Sequence, residues 1–220
     1  MNKIRLISPV CALLGVFSPA WAGDILNELT SSQQAELKKG EQILITEDVE
    51  GKPWPKVKVY RLIDATPEEV MAVFCDFSTA KSFVPKLLKS DISNKVSPTI
   101  VEVDYGVDVP ILPDEFYTVR NTIKASGKGC YQVDWKLLRA VQTKDSIGSM
   151  RVEPMGEKCL MGYQNLVTPG SSMAGLLRGK AIEQMRETVA AIGEHAEAQK
   201  TKNPGELQKQ VTALKTALGQ

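Results

Sequence analysis

The sequence predicts an α+β domain: two strands, a pair of short helices, an antiparallel meander and one long C-terminal helix. Strict alternation supplies the strands, with Val101, Val103, Tyr105, Val107 and Val109 interleaved by Glu102, Asp104, Gly106 and Asp108. A strong helix start supplies the first helix of the pair: Thr66 as cap, Pro67 at the first position and Glu69 three residues after the cap. The last helix follows from a stripe at spacings of four and three, running through Met173, Leu177, Ala181, Met185, Val189 and Ile192.

Taken in order, the chain opens with a targeting segment. Lys3 and Arg5 precede a mostly apolar run from Leu6 to Phe17, too short to span a bilayer, which ends in Ala20-Trp21-Ala22. This predicts a signal peptide over 1–22, cleaved between Ala22 and Gly23, and a soluble protein in the periplasm or secreted. Losing Lys3 and Arg5 takes the formal charge from +1 to −1. A near-neutral surface has no general attraction for nucleic acid, so none is expected as a partner.

Beyond the signal, a domain over 23–198 and an amphipathic tail helix over 199–220 are expected. Ser31 and Gln34 read as a capping box for a short helix ending near Lys39. Strands follow at Glu41–Thr46 and Val57–Leu62. Val70, Val73, Phe74 and Phe77 give the helix after Thr66 its apolar face, and a second short helix is expected over Thr79–Phe83. Four or five strands come next, joined by hairpin-sized connectors such as Gly127-Lys128-Gly129 and Met155-Gly156-Glu157. The long helix spans about Ser172 to Ala198, with Leu176, Ile182 and Ala190 widening its stripe. Asn203-Pro204-Gly205-Glu206 opens the tail, striped by Leu207, Val211, Leu214 and Leu218.

Cys75, Cys130 and Cys159 remain after signal removal. Cys130 and Cys159 start strands separated by one neighbour, about 9–10 Å apart at about 4.8 Å per step. That exceeds the reach of a disulfide, so none is expected between them. No C-x-x-C pair occurs and His195 is the one histidine, so neither a metal site nor a cofactor is expected. His195 reads as a solvated helix-end residue. Arg120 and Arg151 have outward parity, which favours surface pairing.

The run Lys56-Val57-Lys58-Val59-Tyr60-Arg61-Leu62-Ile63-Asp64-Ala65-Thr66-Pro67-Glu68-Glu69-Val70 leads into Val73-Phe74-Cys75-Asp76-Phe77 and then Phe83-Val84-Pro85. With Gly175-Leu176-Leu177-Arg178-Gly179-Lys180 entering the last helix, it resembles the START-like superfamily, and START domains proper most closely. The resemblance covers roughly Leu37 to His195. It implies a helix-grip fold, in which a curved antiparallel sheet wraps the long C-terminal helix and two short helices follow the second strand. It also implies a deep apolar cavity between sheet and helix, and it carries over no catalytic signature.

The residues argue the same way. Met150, Met161, Met173 and Met185 are flexible, polarizable side chains suited to varied apolar ligands. Tyr105, Tyr117, Trp135 and Tyr163 have polar tips that can orient a head group. Leu177 and Ala181 supply the helix side. Asn121 and Asn165 fall on apolar alternations; each either bonds a ligand carbonyl or hydroxyl or belongs to a satisfied structural pair. These twelve residues are the candidate ligand-binding set. The expected function is binding, and transfer, of a lipid or similar hydrophobic small molecule, with transient membrane contact. The alternatives are a cavity enzyme of cyclase or dehydratase type and a protein-interaction module. The sequence sets no oligomeric state.

Overall fold

The computed structural model describes residues 25–109, 112–127, 129–170 and 174–220. The expected signal peptide and Met173 lie outside these residues. The chain starts with a 3-10 turn (Leu26–Glu28) and α1 (Ser31–Lys38). The capping box of α1 is one residue earlier than Ser31 and Gln34: Thr30 caps it and Gln33 reaches back to the Thr30 backbone N–H. Strands β1 (Ile43–Glu47) and β2 (Lys56–Ile63) follow. Helix α2 (Pro67–Cys75) has the expected start, with Thr66 Oγ1 accepting from the Glu69 N–H and Glu69 accepting from the Thr66 N–H. The expected second helix is a single 3-10 turn (Ala80–Ser82).

Six strands follow rather than four or five: β3 (Leu87–Ser97), β4 (Ile100–Val107), β5 (Glu115–Gly127), β6 (Cys130–Ala140), β7 (Thr143–Met155) and β8 (Lys158–Pro169). The addition is β3. It is an edge strand, mostly solvent-facing, whose pairing with β4 slips at three places. Its sequence therefore shows no clean alternation. Helices α3 (Ala174–Lys202) and α4 (Pro204–Ala217) complete the chain. The eight strands form one curved antiparallel sheet in the order β1-β2-β8-β7-β6-β5-β4-β3.

Residues directly opposite on antiparallel neighbours share a face, so the register gives rows across the concave side. One row is Val57, Asn165, Gly148, Trp135, Asn121 and Val101. The next is Val59, Tyr163, Met150, Val133 and Ile123; a third holds Arg61, Met161, Val152 and Tyr131. Helix α2 closes over the second and third rows, burying Val70, Met71 and Val73 in one core with Met150 and Met161. Helix α4 also joins this core, burying Leu207, Val211 and Leu214.

The C-terminal half of α3 lies in the sheet, with Val189, Ile192 and Ala196 buried. Gly193 permits this approach: a Cβ there would stand 2.9 Å from Arg61 Nε. Arg61 donates to the Ala190 carbonyl at 3.3 Å. The N-terminal half of α3 is different. Among its described residues none before Val189 is buried, and Leu176, expected to widen the apolar stripe, is 77% exposed.

The convex face is covered in part by the N-terminal segment. Ile25, Leu29, Leu37, Ile43, Tyr60 and Leu160 form a second apolar cluster. Arg151, expected at the surface from its parity, is therefore buried, and it pairs with Glu28. Tyr60 donates to the same Glu28 at 2.6 Å, and Glu153 accepts from the N–H groups of Ile25 and Leu26. Among the described residues, Cys75, Cys130 and Cys159 form no disulfide.

Candidate ligand cavity

Toward the end of the sheet away from α2, the concave face and the N-terminal half of α3 enclose a cavity of about 310 Å³. Sheet and helix part company here because the facing residues on α3 alternate small and flexible: Leu177, Ala181 and Met185. Nine of the twelve candidate residues line it. Tyr105, Tyr117, Asn121, Trp135, Tyr163 and Asn165 come from the strands, and Leu177, Ala181 and Met185 come from α3. Met150 and Met161 do not line it. Both are fully buried one and two rows further toward α2, packed into the core. Their parity gives the correct face, but α2 fills the space above them. Met173 lies outside the described residues.

The aromatic wall is held by mutual packing. The rings of Trp135 and Tyr163 are 5.0 Å apart, those of Tyr105 and Tyr117 are 5.5 Å apart, and Phe74 on α2 lies 6.3 Å from Trp135. Gly148 makes this possible. A Cβ there would collide with the Trp135 indole, which lies against the glycine backbone. Burial raises the pKa of all three cavity tyrosines: Tyr117 up to about 12, with Glu115 adding to the effect, and Tyr105 and Tyr163 well up too, helped by Tyr117. At any physiological pH the three phenols keep their protons and act as neutral donors.

The polar groups are few. Asn165 and Asn121 do not pair with each other, because Trp135 and Gly148 stand between them in the row. Asn165 Oδ1 accepts from Ser146 Oγ at 3.3 Å. Asn121 is 2% exposed and its Nδ2 has no hydrogen-bond partner among the described residues. Glu115, also in the lining, is buried with its oxygens accepting from the N–H groups of Gln142 and Thr143 at 2.9–3.2 Å. It ties down the turn between β6 and β7. Among the described residues no three His, Cys, Asp or Glu side chains converge as metal ligands.

Sequence reasoning missed the lining from irregular segments: Trp54, and Phe83 to Lys86 between the 3-10 turn and β3. No periodicity marks such residues. The Phe83-Val84-Pro85 triplet enters the sequence reading as part of the resemblance and not as a binding element. Lys86 holds a left-handed backbone at φ 60°, and its carbonyl accepts from the Asp108 N–H at 2.9 Å. The segment is thereby fastened to the end of β4.

His195 is only half solvated. Its ring stacks on Phe83 with centroids 4.0 Å apart and planes 7° from parallel, and its Nε2 lies 3.2 Å from Gln199 Nε2. The imidazole pKa is lowered, by burial first, with Asp76 opposing. The folded state thus binds this proton less well than the unfolded chain. Stability from His195 is present above the unfolded pKa of about 6.5 and is lost as pH falls below it. We expect His195→Phe, which keeps the stack, to remove that loss. Urea unfolding across pH 7.5 to 5 should show wild type losing stability relative to the variant on the acid side. A constant difference would refute the half-buried imidazole with a lowered pKa.

No protein-family model matches the chain, and no curated protein matches it in sequence. Solved structures do match in fold. A STAR-related lipid transfer protein fragment from Xanthomonas axonopodis aligns over 70% of this chain and 93% of its own, with TM-score 0.63 and 17% identity. The human StarD13 lipid transfer and protein localization domain aligns over 74% and 92%, with TM-score 0.56 and 13% identity. The Zhui aromatase/cyclase from Streptomyces sp. R1128 aligns over 67% and 96%, with TM-score 0.51 and 18% identity. At these identities the likeness is one of fold: the chain has the START-like helix-grip architecture that its sequence resembles.

Proposed function

We propose that the protein is an exported binder and carrier of a lipid or other hydrophobic small molecule, held between the sheet and α3. The observation that carries this reading is the cavity itself. About 310 Å³ is left open where the sheet could have closed on the helix, and aromatic and aliphatic side chains line most of it. Two similar folds bear lipid transfer in their names, which fits. Cleavage after Ala22 belongs to the same proposal. It is supported by the nearness of the folded domain, since Ile25 is already fully buried. Transient membrane contact is supported by exposed Val141 and Leu176, close to the lining residues Thr143 and Leu177.

The test is native mass spectrometry of the mature protein purified from its own periplasm, with organic extraction of what accompanies it. A stoichiometric apolar molecule, recovered chemically unchanged, is the expected result. Ala181→Trp should fill the cavity and abolish the retained mass while leaving the urea midpoint nearly unchanged, because the residue faces open space. A folded Ala181→Trp protein that still carries cargo would overturn the assignment of the cavity. The similarity to an aromatase/cyclase keeps a second reading in play. Recovery of a cyclised or dehydrated product would favour that one.

A further inference from the structure

Building on the binding reading above, we propose that the occupant presents a neutral hydrogen-bond-accepting oxygen to Asn121, a ketone or ester carbonyl carried on a single chain or fused-ring skeleton. Asn121 sits mid-row on the concave face, directly opposite Val101 on one side and Trp135 on the other. Its side chain lines the cavity, is 2% exposed, and its Nδ2 has no partner among the described residues. Buried polar groups are almost always satisfied, and an unmade donor in an apolar wall is costly. Asn165, the other amide of the row, already has its oxygen engaged by Ser146. The buried group left unsatisfied at this depth is therefore the Asn121 Nδ2 donor, and it calls for an acceptor.

The charge distribution selects a neutral acceptor. The cationic lining residues Lys86 and Lys180 are both exposed, and Lys86 lies 4.0 Å from Glu187. At the Asn121 wall the tyrosines offer protonated hydroxyls, and the buried acidic side chain is Glu115. A carboxylate or phosphate head would enter without a counter-charge, which desolvation penalises heavily. The volume restricts the skeleton. About 310 Å³ is at the lower end of the roughly 300–1,000 Å³ typical of small-molecule sites. It takes one chain or a compact polycycle.

The test uses the mature protein loaded with the neutral fluorophore N-phenyl-1-naphthylamine, displaced by four probes of equal chain length: undecane, 2-undecanone, 1-undecanol and undecanoate at pH 8. The ketone should bind about tenfold more tightly than the alkane, and the carboxylate more weakly than the ketone. Asn121→Leu should bring the ketone down to the level of the alkane and leave the alkane unchanged. The probe ranking on the unaltered protein reads the same chemistry should that variant fail to fold. Equal binding of ketone and alkane, tightest binding of the carboxylate, or a preference for the alcohol alone would each overturn the proposal. Those results leave the cavity as a binding site. Failure of every probe and of the dye to bind would instead bring down the binding reading itself, and this proposal with it.

Discussion

Met150→Ala should lower the unfolding free energy by about 3 kcal/mol and leave uptake of an apolar ligand almost unchanged. Met185→Ala should do the opposite, costing at most about 1 kcal/mol of stability while weakening uptake severalfold. The two methionines have the same chemistry and both face the space between sheet and helix, but their surroundings differ. Met150 is fully buried beside Val133 and Tyr163, with α2 packed above, so truncation leaves a void that rigid neighbours cannot fill. Met185 is half-buried and borders a cavity that already exists, so truncation only enlarges it. Urea denaturation and dye uptake on both variants check the pair. Equal stability losses would mean that the division between core and cavity is drawn in the wrong place.

Arg151→Ala should cost about 3 kcal/mol, although the residue lies on the face of the sheet opposite the cavity. Arg151 is buried, and its guanidinium donates to Glu28, which also accepts the Tyr60 hydroxyl. Removing the arginine leaves a partly buried acid whose remaining neighbour is a phenol, with its own pKa driven well up by burial and by that acid. The same contact anchors the 3-10 turn at the start of the chain, so its loss should also loosen Ile25 and Leu29. The double variant Glu28→Leu/Arg151→Met should recover most of the loss, since an apolar pair of similar volume needs no counter-charge. Denaturation of the single and double variants measures both effects. A single-variant cost below about 1 kcal/mol, the range of exposed pairs, would show that the segment is not held by this cluster.

Local chemistry was the legible part of the sequence. The Thr66-Pro67-Glu69 start forms as written because each residue acts on its own backbone within one turn. The alternations of β4 to β6 are readable because apolar residues face inward and mostly charged or polar ones outward. Strand β3 has no such contrast, since it lies at the edge with its side chains largely in solvent. For the cavity, strand parity identified the face of six lining residues and the helical stripe that of three more, but neither identified their depth. Whether an inward methionine meets ligand or core depends on where α2 lands. Arg151 shows the same limit on the other face: its parity is outward, but outward is covered there by a segment more than a hundred residues away in sequence. Phe83 and His195 come together from separate elements, and nothing in either local sequence encodes the stack.

The uneven seating of α3 has a thermodynamic consequence. Gly193, Val189, Ile192 and Ala196 clamp one end of a 29-residue helix, while the turns around Leu176 and Lys180 stand off from the sheet across the cavity like a beam fixed at one wall. Helix hydrogen bonds in the unclamped stretch can break and reform without disturbing the clamp, so they belong to a separate, cheaper unit of unfolding. Amide exchange along α3 should then slow steeply from its first turns toward Val189. Admitting a guest draws on the small free energy of the unclamped stretch and spares that of the whole domain.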